Sequence, residues 1–148
     1  MQRINSLILT ILLSLPVSLI FPEIAPAQSS VPDPTSHFGF MPGSDYMLFN
    51  YEQLIDYLQK LDKASPMLKL VENGQSSMGR KMYIAFISSE KNINHLEELG
   101  EINKELALNP DLSDKKQAEY IRDGKVFFLA TLSMHSSEVA PTQSAPLI

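Results

Sequence analysis

The chain has 148 residues, 20% of them charged and 44% hydrophobic, which suffices for one globular domain and falls short of two of ordinary size. A net charge of −5 argues against a nucleic-acid module, which needs a basic face. With no Cys there is no disulfide framework, no thiolate zinc site and no cysteine nucleophile, and three His leave few imidazoles for any metal.

Arg3 opens a short positive start, and Leu7 to Phe21 is a mostly apolar run broken by Thr10, Ser14, Pro16 and Ser18. Ala25-Pro26-Ala27 then places small residues where a signal peptidase cuts. This is the three-part plan of a secretory signal peptide, so residues 1–27 read as a leader cleaved after Ala27. The run is too short for a membrane span, and Pro16 sits badly inside one. The expected product is exported, periplasmic or extracellular, with no stable membrane span after cleavage.

Residues 28–45 are rich in Ser, Pro and Gly and show no apolar period; they read as a linker or an ordered arm. His37-Phe38-Gly39-Phe40 offers aromatics to a body further along, and nothing around His37 supports a metal role. The domain proper is expected over residues 46–148. In Leu48 to Leu61, the residues Leu48, Tyr51, Leu54, Ile55, Leu58 and Leu61 recur at helical steps, with Asn50 and Gln53 as a capping box. Ser65-Pro66 ends that helix.

Met67 to Val71 and Met82 to Ser88 read as two antiparallel strands, joined by a loop that Asn73-Gly74 opens and Gly79-Arg80 closes. The second strand is apolar on both faces and is expected to be buried on both. Asn92 to Leu108 has helical spacing, ended by Asn109-Pro110. Ser113 caps a further helix to Arg122, with Gly124 just past its end. Val126 to Leu132 is a seven-residue β-rich run with the pattern of a central strand. Helices alternating with strands give an α/β class.

Zinc accepts imidazole nitrogen and carboxylate oxygen, and a His and a Glu three residues apart can converge on one ion. The chain holds two such pairs, His95 with Glu98 and His135 with Glu138. Among ten Glu, chance alone supplies this spacing easily. Context separates the pairs. His95 and Glu98 lie in a charged amphipathic helix and read as a solvated face. His135 and Glu138 directly follow the Val126 to Leu132 run, beyond the carboxyl end of a strand, where ligands bind in open α/β sheets.

The segment Gly74-Gln-Ser76-Ser-Met-Gly79-Arg80 resembles the G-x-S-x-x-G-R segment of zinc carboxypeptidases. About fifty-five residues further on, Leu132-Ser-Met-His135-Ser-Ser-Glu138 resembles that family's strand followed by H-x-x-E. The order of the two motifs matches as well, and the resemblance runs over roughly Gly43 to Ile148. It implies that His135 and Glu138 are zinc ligands, and that Gly74, Ser76, Gly79 and Arg80 shape the hairpin. It implies a zinc-dependent hydrolase of peptide (amide) bonds, acting on a peptide or peptide-like substrate.

The fold it implies is a mixed sheet flanked by helices, of which this chain would be the N-terminal part. The family's third ligand, a His, lies far beyond H-x-x-E, as do its Asn-Arg segment, its tyrosine and its catalytic Glu. The catalytic residues are therefore expected downstream of Ile148, and the chain reads as a truncated front portion, inactive alone. Two other readings stand beside this one. The chain is a non-catalytic remnant or binding module of the same fold, or it is an unrelated exported α/β domain.

Overall fold

The structure, a computed structural model, describes residues 31–148. The leader expected over residues 1–27 lies outside them. Among the described residues no helix is long and apolar enough to cross a membrane.

The first element is helix α1, Pro34–Phe38, within the stretch read as a linker or an arm. Asp33 caps it by accepting from the Ser36 N–H, and Pro34 in the first turn has no N–H to leave unpaired. The helix delivers Phe38 into an aromatic cluster with Phe49 and Tyr57. Phe38 stacks on Phe49 at 4.2 Å between centroids, and Tyr57 lies 5.3 Å from it. Leu54 completes the buried core, and Phe40, Leu58, Leu61 and Ala145 pack around it. The Tyr57 hydroxyl donates to the Pro32 carbonyl at 3.1 Å, and burial pushes its pKa up.

Helix α2 spans Tyr51–Ala64 rather than beginning at Leu48. The capping box sets this boundary. Asn50 accepts from the Gln53 N–H at 2.9 Å, and the Gln53 side chain accepts from the Asn50 N–H at 2.8 Å. Leu48, outside the helix, is exposed, and the most deeply buried side chain is Tyr57, at 2% exposure. The Leu-rich stripe of the sequence passes over that residue.

Strands β1, Leu68–Gln75, and β2, Lys81–Ile87, pair antiparallel, with Leu68 opposite Ile87 and Glu72 opposite Tyr83. β1 continues through Asn73-Gly74, where the sequence placed a turn. The register slips between Glu72 and Gln75, a bulge in which Gly74 adopts φ 77°. A Cβ at Gly74 would meet nothing within 4 Å, so the constraint there is the backbone angle and not space. β2 is half-buried rather than buried on both faces, with Met82 and Ile87 exposed, because among the described residues the sheet has β1 and β2 alone.

One helix expected over Asn92 to Leu108 is two, α3 over Glu90–Asn94 and α4 over Leu96–Leu108, with the break at His95. Helix α5, Asp114–Asp123, is capped by Ser113 and packs on α4. Gly124 ends it in an extended conformation, without the left-handed turn common at such positions. Its lack of a side chain serves space instead. A Cβ there would stand 2.7 Å from the Tyr120 carbonyl oxygen and 2.9 Å from Ile102 Cγ2.

The largest departure from expectation is Val126 to Leu132. The run belongs to no ladder among the described residues, and the sheet has the two strands β1 and β2 alone. Val126 is 97% and Phe128 90% exposed. Phe127 reaches the hairpin, edge-on to Phe86 at 6.4 Å. β-propensity describes a half-buried pleated surface, and without a neighbouring strand that surface does not form. The chain closes with α6, Val139–Ser144, and a 3-10 turn over Ala145–Leu147 that packs against α2. The architecture is thus mixed helix with a small two-stranded antiparallel sheet, α/β in the broad sense.

Candidate metal centre

The turn between Leu132 and α6 brings His135 and Glu138 together. His135 Nδ1 lies 2.7 Å from Glu138 Oε1. The other carboxylate oxygen, Oε2, accepts from the backbone N–H of His135 at 3.2 Å and of Met134 at 3.3 Å. These donors hold the Glu138 carboxyl below the ordinary carboxylate range, the His135 side chain first and the two amides after it. Both side chains face solvent.

The backbone of the turn is cross-braced. Glu138 N–H donates to the His135 carbonyl at 3.0 Å. Ser133 Oγ lies 2.8 Å from the Glu138 carbonyl and 3.1 Å from that of His135. Ser133 itself sits at φ 89°, a left-handed conformation that a non-glycine residue adopts at a cost of about 1–3 kcal/mol. The Thr142 hydroxyl donates to the Leu132 carbonyl at 3.0 Å, which ties α6 back to the start of the turn.

Two ligands at ordinary zinc bond lengths stand about 3.3 Å apart across a tetrahedral ion. The 2.7 Å separation of Nδ1 and Oε1 is a hydrogen-bond distance, so the pair would have to open modestly to take a metal between them. In donor chemistry and convergence, His135 and Glu138 fit as two ligands. No third His, Cys, Asp or Glu joins them among the described residues, where no group of three or more such side chains could hold an ion.

The other pair converges almost as closely, with His95 Nδ1 3.1 Å from Glu98 Oε2. It occupies the junction of α3 and α4 rather than the interior of one helix, His95 being the residue between them. No backbone amide among the described residues donates to the Glu98 carboxylate, which is 70% exposed. His37 approaches Asp56 at 3.7 Å and packs against the rings of Phe38 and Tyr57. It belongs to the aromatic cluster, far in sequence from either His-x-x-Glu pair.

The hairpin motif closes its own loop. Ser76 N–H donates to the Arg80 carbonyl at 2.8 Å, Ser76 Oγ accepts from Arg80 N–H at 3.2 Å, and Gly79 N–H donates to the Ser76 carbonyl at 2.9 Å. Gly79, like Gly74, has positive φ. Arg80 lines an open groove of about 330 Å³ with Tyr51 and Tyr83. None of these four residues contributes a donor to the His135–Glu138 turn.

Sequence reasoning passed over Ser133, Thr142 and Gln143, which hold the turn in place. Their partners are backbone groups, and in the case of Gln143 the partner is 94 residues away, so no local spacing marks them. No protein-family model, no curated protein and no solved structure matches this chain.

Proposed function

We propose that the chain supplies two ligands, His135 and Glu138, to the zinc site of an exported, carboxypeptidase-like hydrolase of peptide bonds. The observation that carries this reading is the convergence of imidazole and carboxylate at 2.7 Å on one turn, with the carboxylate held by two backbone amides. Zinc bound there would polarise a scissile carbonyl and activate a water. The chain's own residues do the positioning. Met134 and His135 amides orient the Glu138 carboxylate, and the Ser133 hydroxyl holds the backbone between the ligands. Peptide or peptide-like substrates follow from the same resemblance, as do a third ligand and a general base outside residues 31–148.

The unpaired apolar run Val126 to Leu132 supports the fold side of the proposal. Such a segment fits a larger mixed sheet, in which a further strand would cover it. A second reading, a non-catalytic remnant or binding module of the same fold, is favoured by the count of donors. Two ligands do not make a stable structural zinc site.

Zinc titration of the full chain, followed by NMR of the imidazole resonances, tests the proposal. Zinc should shift His135 and leave His95 in place, with weak affinity, and His135→Ala should abolish the response. A response centred on His95, or none at His135, overturns the assignment. Reading the coding DNA beyond the Ile148 codon separates the two readings. An in-frame His, Asn-Arg pair and Glu favour the hydrolase, and a stop codon favours the remnant.

A further inference from the structure

We infer that Gln143 is a positioning residue for the His135–Glu138 pair, clamping the turn that carries it to the aromatic core through the backbone of Phe49. Gln143 is the one buried polar side chain among the described residues. Its amide oxygen accepts from the Phe49 N–H at 3.3 Å, and its amide nitrogen donates to the Phe49 carbonyl at 3.0 Å. One side chain thus satisfies both backbone groups of a single residue, as a neighbouring strand would.

Phe49 is a fixed point. Its ring stacks on Phe38, and the next residue, Asn50, caps α2. On the other side of the clamp, α6 begins at Val139, immediately after Glu138. A helix of six residues has no stability of its own, because nucleation is costly and few bonds follow it. The position of α6 is therefore set by what it touches. Gln143 ties it to the core, and Thr142 ties it to the Leu132 carbonyl. The Thr142–Leu132 bond closes the segment on which His135 and Glu138 lie, and Gln143, the next residue, fixes the end of that segment to the core. Among the described residues the His95–Glu98 pair has no such buried side-chain tether.

The inference does not depend on which ion the pair takes, and its test separates the two questions. Backbone ¹⁵N relaxation is measured on the full chain, on Gln143→Met, and on Leu58→Ala as a control that trims the packing around the core and leaves both Gln143–Phe49 hydrogen-bonding partners in place. In the unaltered chain, residues 134–138 should show rigid order parameters near about 0.85. In Gln143→Met they should fall below about 0.6 while α4 is unchanged. In Leu58→Ala they should stay as in the unaltered chain. Rigid residues 134–138 in Gln143→Met, or an equal loosening in Leu58→Ala, overturn the inference.

Gln143→Glu keeps the test sharp if Gln143→Met does not fold. An ionised carboxylate accepts from the Phe49 N–H but cannot donate to its carbonyl, whereas a protonated carboxyl does both. Burial favours that protonated form. Order should therefore return on mild acidification, as the introduced carboxyl regains the bond to the Phe49 carbonyl. Absence of that recovery overturns the inference. Zinc alone, added to each variant, reports on the proposed ligands. A rigid turn indifferent to zinc sinks the metal reading and leaves the clamp standing.

Discussion

The two His-x-x-Glu turns share a spacing and nearly share a geometry, with side chains 2.7 Å apart in one and 3.1 Å apart in the other. They differ in what surrounds the carboxylate. Among the described residues the Glu98 carboxylate has one hydrogen-bond partner, its histidine, on the exposed first turn of α4. Glu138 meets its histidine, two backbone amides and a turn braced by Ser133, Thr142 and Gln143. An exposed ion pair alone contributes little, whereas a carboxylate fixed by amides has a defined direction. Convergence of two side chains is thus a poor marker of a site, and the fixing of their backbone is a better one.

The largest predicted effect strikes only the second turn's support. Phe49→Ala removes the ring stacked on Phe38 from the aromatic core and should destabilise the chain by about 3–5 kcal/mol. Hydrogen exchange should show residues 133–144 opening together with α2. Protection of α4 equal to that of α2 throughout would contradict the separation of the two regions.

Gly124→Ala addresses the first turn's side of the molecule. The new methyl would overlap the Tyr120 carbonyl oxygen and Ile102 Cγ2, separating α5 from α4. Thermal or urea unfolding should report a loss of about 1–3 kcal/mol. The Glu138 amide contacts, read by NMR, should be unchanged.

Ser133→Ala retains the left-handed backbone and removes the hydroxyl that bridges two carbonyls. A loss of about 1 kcal/mol is expected, with chemical-shift changes confined to residues 132–139. Changes of equal size at His95 would show that the turns are coupled.

The smallest effect is that of pH. The folded-state pKa of Glu138 lies below its unfolded value, so its contribution is present above the unfolded value and is lost as pH falls through the folded one. Amide shifts of Met134 and His135 should therefore titrate below the ordinary carboxylate range. A midpoint in the ordinary range would mean that the amide contacts do not persist in solution.

Much of the local structure was legible in advance because its causes are local. The Asn50–Gln53 capping box, Ser65-Pro66 as a stop and Ser113 as a cap each act within four residues. The hairpin was legible as well, although Gly74 serves a bulge inside β1 where a turn was expected. What escaped depended on distant partners. Tyr57 is buried because α1 brings Phe38 to it, and no pattern within α2 announces that. The Val126 to Leu132 run has strand composition and no strand, since a ladder needs a second backbone.

By itself, then, the sequence determined helices α2 and α5 with their caps, the hairpin and the His135–Glu138 spacing, all interactions closed over a few residues. Tertiary structure alone decided which His-x-x-Glu turn is fixed in place. That decision lies in a Gln143 side chain and a Phe49 backbone far apart along the chain, because hydrogen bonds across a core follow from packing and not from period.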